Sequence, residues 1–180
     1  YGETDKGEHS MITGNKKFKE DYETDRFGTG MGAVEITYLG HGTLLLATQS
    51  LNIHVDPVSD YGDYELADEA DIILITHHHG DHLDPEAIKK ISGDKTRLIL
   101  SEEAAKQYGK GEIMRNGNRL TIEDITINAV PAYNTTPGRE QYHPMGRDNG
   151  YILTIEDTRI YIAGDTEIIP EMDEFDGMDI

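Results

Sequence analysis

The segment THHHGDHLDP, residues 76–85, concentrates side chains that can bind a metal ion. It holds four of the eight histidines in a chain of 180 residues, together with two aspartates. The alternative is a solvated polar loop, but that interpretation would not explain why half of the histidines of the chain lie in one short segment. Neutral imidazole and carboxylate groups together suit Zn(II), Mn(II) or Fe(II). The segment therefore predicts a metal site.

The spacing within the segment indicates which side chains converge. His77 and His79 are two residues apart, so an extended backbone points both to the same side and His78 to the other. The glycine that follows permits a sharp turn, after which Asp81 and His82 can return to the same cavity. Four such residues in six positions can serve two metal ions, and we expect His78 not to be a ligand.

A buried strand and a helix enclose this segment. ADIILIT, residues 70–76, is a nearly continuous run of β-forming apolar residues, which is typical of a strand buried on both faces. DPEAIKKIS predicts a helix with Asp84 as its N-cap and Pro85 at its first position. A loop at the carboxyl end of a strand is a usual place for chemistry in α/β proteins. Strand and helix would therefore hold the metal-binding loop between them.

The rest of the chain is predicted to form runs of strands with inserted helices. In chain order these are the strands VEITYL, TLLLA and LNIHVDP before the motif, then the strand TRLILS, the helix SEEAAKQYG, two strands in NRLTIEDITINAVPA, the hairpin NGYILTIEDTRIYIAGD and a short helix in IIPEMDEF. This order predicts a mixed α/β (α+β) fold with at least one large sheet covered by helices.

Residues 1–32 differ in composition from the remainder. They are polar, mixed in charge and rich in glycine, and they show no strong apolar period beyond a possible short helix around residues 16–22. We therefore expect a polar N-terminal arm and linker over residues 1–32, followed by one domain over residues 33–180.

Charge and composition exclude several classes of partner. The formal net charge of −19 argues against nucleic acid and against anionic membrane surfaces. The mean hydropathy of −0.58 and the lack of a long apolar run argue against a membrane span. Without cysteine, any metal must be held by His, Asp or Glu. No signal peptide is visible, and a chain that begins at Tyr1 leads us to favour export over a cytoplasmic location.

The order of the motifs resembles that of the metallo-β-lactamase superfamily. Residues 77–82 match its HxHxDH signature, and GHGTLLL, HVDP and YIAGDTE lie around the signature in the family's order. The resemblance covers roughly residues 34–180. It is greatest to ascorbate-phosphate lactonase-like and other metal-dependent hydrolases, and more distant to N-acyl phosphatidylethanolamine phospholipase D. It implies an αββα sandwich with metals at one edge, between the two sheets.

The resemblance also implies roles for individual residues. His77 and His79 would bind metal one, and Asp81 and His82 would bind metal two. Asp165, in AGDTE at a strand end, matches the carboxylate that bridges the metals. A carboxylate suits that position because its two oxygens can be shared between two cations.

Two more residues match positions beside the ligands. Asp56 in HVDP matches a carboxylate that orients a ligand histidine. His41 in LGHGT lies at a strand start on the same edge, where it would contact a ligand or the substrate, or be merely structural. His54, within a strand, and His9, in the arm, are not expected to be ligands.

The chain departs from the family pattern at two ligands. Asn134, a poor zinc ligand, stands where the third histidine of metal one is expected, and His143 in the next loop is the candidate to replace it. The family's last histidine, for metal two, lies beyond the bridging aspartate, and this chain has no histidine after His143. We therefore expect the C-terminal part of the sandwich to be missing. The functional protein would continue beyond Ile180 by roughly one strand–helix–strand unit.

Metal-dependent hydrolysis is the function that these features favour. Two divalent cations, Zn first and Mn or Fe as alternatives, would activate a shared hydroxide for attack on a small ester, lactone or phosphoester. Asp81 and His82 would be catalytic. Tyr133 and Arg147, in the polar loop over residues 131–151, would contact the substrate, and the arginines of this loop suggest that the substrate is anionic. The alternatives are a degenerate binding module of the same fold and an iron-dependent redox protein. The sequence leaves the oligomeric state open.

Overall fold

Two β-sheets pack face to face in the computed structural model, which describes residues 12–13, 15–30 and 32–180. One sheet has seven strands and the other has four. In the described part of the chain the α-helices lie against the outer face of the larger sheet, so the layers run helix, sheet, sheet. The predicted α/β sandwich is confirmed.

The larger sheet changes from antiparallel to parallel at its fourth strand. Its strands lie side by side in chain order, and β1 to β4 pair antiparallel whereas β4 to β7 pair parallel. They are β1 (Glu23–Gly28), β2 (Ala33–Gly40), β3 (Thr43–Ala47), β4 (Asn52–Val55), β5 (Ala70–Ile75), β6 (Ser92–Leu100) and β7 (Glu112–Ile113). The parallel strands β4 and β5 end at the same edge, where both Asp56 and the histidine motif follow.

The smaller sheet is an antiparallel meander. Its order is β11-β10-β9-β8, formed by β8 (Arg119–Ile122), β9 (Ile125–Ala132), β10 (Asp148–Ile155) and β11 (Thr158–Ile162). The predicted strand pair in NRLTIEDITINAVPA and the predicted hairpin in NGYILTIEDTRIYIAGD are confirmed, with turns at residues 123–124 and 156–157. Glu123 and Glu156 take positive φ angles of 50° and 55° there.

Alternation along the strands divides the core into two clusters. On β5, Ile72 and Leu74 face the smaller sheet, whereas Ile73 and Ile75 face the helices, and all four are fully buried. This two-sided burial follows from the side-chain period of two in a strand and was expected for a parallel strand. Strand β5 thereby anchors the residues that follow it, since complete burial of one such side chain contributes about 1.5–3 kcal/mol.

The helices are short, and the predicted N-cap Asp84 is confirmed. They are α1 (Lys16–Lys19), α2 (Pro85–Ile91), α3 (Glu102–Tyr108) and a 3-10 helix (Pro170–Glu174). The Asp84 side chain accepts from the backbone N–H of Glu86, and Ser101 caps α3 in the same way. Gly109 ends α3 at a φ of 90°, a left-handed conformation that glycine adopts without steric cost.

The N-terminal segment is part of the domain where the structure describes it. Strand β1 pairs with β2 over six residues, and Phe18 of α1 is buried against Tyr64 with 5.5 Å between ring centroids. The expectation of a separate arm and linker over residues 1–32 is therefore wrong for residues 15–28, because an edge strand and a buried aromatic ring attach them to the sheet. Residues 1–11 of that arm lie outside the described residues.

Within the described part of the chain, the structure contains no helix long and apolar enough to span a membrane.

Candidate metal centre

Four chain segments bring their polar side chains to one edge of the sandwich. They are the β2–β3 turn, the loop after β5, the loop between β9 and β10, and the segment after β11. Strands β4, β5, β9 and β11 all end at this edge, so residues far apart in sequence meet there. The side chains form two adjoining sets of potential ligands.

The first donor group consists of His77, His79, His143 and Asp165. Each offers one ligand atom, and these atoms all lie within 4.8 Å of one another. The His143 ring lies 4.9 Å from that of His77 and 4.8 Å from that of His79, measured between centroids. His143 therefore reaches the motif from the later loop, at the place where the sequence lacked a third histidine.

The second donor group consists of His41, Asp81 and His82, whose ligand atoms also lie within 4.8 Å of one another. Asp165 connects the two groups. Its Oδ1 lies 3.2 Å from Nε2 of His82, and its Oδ2 lies 3.8 Å from Nε2 of His77. A carboxylate in this position can share its two oxygens between two cations.

Thr76 and Asp56 fix the ring of His77 from behind. The Thr76 hydroxyl lies 2.6 Å from Oδ2 of Asp56 and 2.9 Å from Nδ1 of His77. A carboxylate can only accept, so the hydroxyl donates its one proton to Asp56 and accepts from His77 Nδ1–H. This network assigns the tautomer: Nδ1 of His77 carries the hydrogen, and Nε2 presents a lone pair to the first donor group.

His82 and His143 are held in the same way. Nδ1 of His82 lies 2.7 Å from Oδ2 of Asp56, and Nδ1 of His143 lies 3.0 Å from Oδ2 of Asp148. Asp56 also accepts from the backbone N–H of Thr76 at 2.8 Å, so this buried carboxylate has three donors. A carboxylate behind each histidine fixes the ring and raises its basicity as a metal ligand.

The donor set fits a divalent cation. Nε2 of His77 is buried and has no hydrogen-bond partner, although it points into the first donor group. An unpartnered buried nitrogen is costly unless a ligand takes its lone pair. Imidazole and carboxylate donors without a thiolate suit Zn, Mn or Fe.

The pKa values differ between the two donor groups. Burial lowers the pKa of His77 far below its ordinary value, with the charge of His82 adding to the effect, and burial also lowers the pKa of His79. Burial opposes protonation of His82 too, but hydrogen bonds and charges of Asp165 and Asp56 outweigh it and raise its pKa to about 10. The hydrogen bond from His82 in turn holds the pKa of Asp165 well below its usual range. His77 and His79 are therefore neutral at pH 7, whereas a cation at His82 must displace a proton.

Two glycines allow the backbone to approach the site closely. A Cβ at Gly42 would lie 2.7 Å from Cε1 of His82. Gly164 has a φ of 63°, and a Cβ there would lie 3.0 Å from Cβ of Thr76. Side chains at these positions would displace the groups that hold the histidines.

Glu167 attaches the loop of His143 to the strand end of Asp165. Its Oε2 accepts from the backbone N–H groups of Thr135 and Thr136 at 2.9 and 2.7 Å and from both hydroxyls. These bonds, the backbone bond from Thr135 first, lower the pKa of Glu167 to about 2. The carboxylate is therefore ionised at all ordinary pH values and holds the loop in place.

Three of the predicted ligands and substrate contacts lie outside both donor groups. The Asn134 amide donates to the backbone oxygen of Arg139 at 3.0 Å, and the Tyr133 hydroxyl donates to Glu171 at 2.8 Å. Arg147 donates from Nε to Oδ1 of Asp148 at 2.8 Å and from Nη2 to its Oδ2 at 2.9 Å. The structure thus does not bring Asn134 to the ligands, and it uses Tyr133 and Arg147 in internal hydrogen bonds.

Sequence reasoning missed Thr76 and Asp148. Thr76 lies between the end of β5 and the first histidine of the motif, and a hydroxyl at that position is the signal that a polar partner lies behind this histidine. Asp148 follows His143 by five residues, and only the folded loop brings its carboxylate to the ring. His41 was placed beside the ligands by the sequence, and it lies within the second donor group.

Comparison with known proteins agrees with this geometry. Residues 35–180 match the family model described as the β-lactamase superfamily domain. A UPF0173 metal-dependent hydrolase of Pyrococcus horikoshii is 32% identical over 151 residues, which cover 79% of this chain and 66% of the relative. A UPF0173 metal-dependent hydrolase of Thermus thermophilus is 31% identical over 147 residues, covering 77% and 64%. The chain therefore spans just under two thirds of the length of these curated relatives.

Solved structures show the same fold. A protein of Parabacteroides distasonis, named for a metal-dependent hydrolase, superposes with a TM-score of 0.83 at 52% identity, covering 85% of this chain and 70% of its own. The diiron β-hydroxylase CmlA of Streptomyces venezuelae superposes with a TM-score of 0.60 at 19% identity, covering 84% and 34%, and shares the fold. The matched family model, these likenesses and the histidine cluster at the sandwich edge lead to one conclusion: the chain belongs to the metallo-β-lactamase superfamily.

Proposed function

We propose that the full-length protein is a metal-dependent hydrolase with a dinuclear site that acts on a small ester, lactone or phosphoester. One observation carries the proposal: two donor groups adjoin each other and Asp165 faces both, with its Oδ1 3.2 Å from His82 and its Oδ2 3.5 Å from His143. Zn is the ion that we favour, and the same donors suit Mn or Fe. The names of the Pyrococcus and Thermus relatives support the reaction class.

The cations would supply Lewis acidity and a lowered pKa for an attacking water. The chain's own residues would have different roles according to the solvent exposure of their side chains. The side chains of His77 and His143 are 0% and 9% exposed, so they hold their rings away from solvent. Asp81 is 53% exposed, which places its carboxylate on the open side where it can accept a proton from an entering water.

The local charge at the metal-loaded site would favour an anionic substrate, although the chain as a whole is strongly negative. The charge of Arg147 contributes to lowering the pKa of His79, after burial, His143 and His78. The Arg147 guanidinium is held by Asp148, whose negative charge acts on His79 in the opposite direction. The positive charge that would attract a phosphate or carboxylate despite the net charge of −19 would therefore come mainly from cations at the two donor groups.

Elemental analysis of the purified full-length protein is the test of metal binding. We expect close to two equivalents of zinc, and hydrolysis within a screen of lactones, phosphodiesters and amides. A chelator should abolish the activity, and the added metal should restore it. A His77→Ala/His79→Ala double variant is the inactive control.

The metal also separates this function from its main alternative. Since CmlA is a diiron β-hydroxylase, bound iron with visible absorbance and no hydrolysis would favour the redox function instead. A folded full-length protein that binds no divalent metal would contradict the proposal and support a degenerate binding module.

A further inference from the structure

His41 occupies a turn whose backbone is suited to glycine. It lies between β2 and β3 in the sequence GHGT, with a φ of 50°. Residues other than glycine rarely adopt this left-handed conformation, and when they do the side chain often has a role at a functional site. Here the conformation directs the imidazole to the edge of the sandwich that carries the second donor group.

The contacts of His41 place its ring nitrogen among the potential ligands of the second donor group. Its Nε2 lies 3.0 Å from Nε2 of His82 and 3.2 Å from Oδ2 of Asp81. Nε2 of His82 lies a further 3.2 Å from Oδ1 of Asp165. Four potential ligand atoms from three chain segments thus lie next to one another around one small space.

These separations match a shared cation. Two ligand atoms about 2.1 Å from one ion lie roughly 3.0–3.4 Å apart at the bond angles of octahedral or tetrahedral geometry. A single proton between the two imidazoles can serve one of these contacts, whereas a cation serves all of them at once. Because Nδ1–H of His82 is used by Asp56, its Nε2 is the atom available to a cation.

The second donor group is also open to solvent. The side chains of His41 and Asp81 are 43% and 53% exposed, whereas His77 in the first donor group is completely buried. An ion held between exposed ligands exchanges more readily than one held in the interior. The open side gives water or substrate direct access to this position.

We propose that His41 is a ligand of the second cation, completing a set with Asp81, His82 and Asp165, and that this ion is the more readily exchanged of the two. The inference rests on the proposed dinuclear site and assigns a metal-binding role to the β2–β3 turn. Removal of His41 should then weaken binding of the second ion and leave the first in place.

The test compares His41→Gly with His78→Ala in the full-length protein. Glycine suits the φ of 50° and leaves a space open to solvent, so the variant removes the imidazole without backbone strain. His78 lies in the same loop as the motif but outside both donor groups, which makes it the matched control. Metal content is measured after equilibrium dialysis against zinc, and cadmium-loaded samples are examined by ¹¹³Cd NMR.

We expect wild type and His78→Ala to bind two ions and to show two cadmium resonances. His41→Gly should keep the first ion, bind the second at least about tenfold more weakly and lose or shift one resonance. Added imidazole should enter the vacated space and restore the second ion in His41→Gly alone. A purely structural histidine would not be replaced by free imidazole in this way.

The other outcomes are decisive as well. Two ions bound by His41→Gly with wild-type affinity would overturn the inference and leave the dinuclear hydrolase intact. A wild type that holds one ion only would also overturn it. A wild type that binds no metal would instead refute the proposed function itself. If His41→Gly does not fold, His41→Asn, which tolerates the same backbone conformation, is measured in its place.

Discussion

Replacement of Thr76 by Val should damage both halves of the metal centre at once. The Thr76 hydroxyl donates to Asp56, which holds His82, and accepts from Nδ1–H of His77. Valine has nearly the same shape but no hydroxyl, so the substitution removes these two bonds with little change of volume. Thr76 and both contacted side chains are at most 1% exposed, and water cannot replace the lost partner.

The expected loss of stability follows from the two bonds. Asp56 would keep two of its three donors, and Nδ1–H of His77 would have no acceptor. Each buried polar group that loses a partner costs about 1–3 kcal/mol, so the free energy of unfolding should fall by about 2–6 kcal/mol. His77 would also lose the interaction that keeps its hydrogen on Nδ1. The hydrogen could then lie on Nε2, which would have no lone pair to offer a metal. Metal affinity should therefore fall by about 10- to 100-fold.

Urea unfolding of the metal-free protein and zinc titration of the folded protein measure these two effects. Thr76→Ser is the matched control, because it keeps the hydroxyl and removes only a methyl group. We expect the serine variant to retain most of the metal affinity. The reasoning would be refuted if the Thr76→Val protein had an unchanged zinc affinity and a free energy of unfolding within about 0.5 kcal/mol of wild type. A change that small is typical of an ordinary surface substitution.

Three further predictions concern the ligands and their supports. The His77→Ala/His79→Ala double variant should hold no metal at the first donor group by mass spectrometry, and full metal content would show that the site is wrongly assigned. Asp148→Asn should weaken zinc binding at the first donor group by about 10- to 100-fold and lower the free energy of unfolding by about 1–3 kcal/mol, because the buried amide cannot accept from both His143 and Arg147 as the carboxylate does; titration and urea unfolding together can check this. Gly42→Ala should destabilise the protein by about 1–3 kcal/mol, because the new Cβ would lie 2.7 Å from Cε1 of His82; an unchanged melting temperature would contradict this.

The local elements of this fold could be read from the sequence because their signals are local. The run ADIILIT predicted β5, and its side chains are buried on both faces as a parallel strand requires. Asp84 predicted the start of α2, because an N-cap needs only a side-chain oxygen next to the helix that it caps. The spacing of His77 and His79 likewise depends on one stretch of extended backbone.

The boundary of the domain could not be read in this way. Residues 15–28 are polar on average, and the sequence predicted a separate arm. Strand β1 is held by backbone hydrogen bonds to β2, which leave little trace in side-chain composition, and Phe18 alone provides the buried contact of α1. An edge strand with exposed side chains therefore resembles a linker until its pairing partner is known.

The sequence by itself determined that histidines and aspartates follow buried strands at one sheet edge, because the apolar strand segments and the polar residues after them can be recognised in their order along the chain. It named His143 and Asp56 as candidates but gave no distances between segments. Only the tertiary structure brought His143 within 4.9 Å of the His77 ring and placed Thr76, Asp148 and His41 at their partners. Hydrogen bonds and metal coordination act over about 2–3 Å, so a site made from four separate segments exists only once the two sheets have packed together.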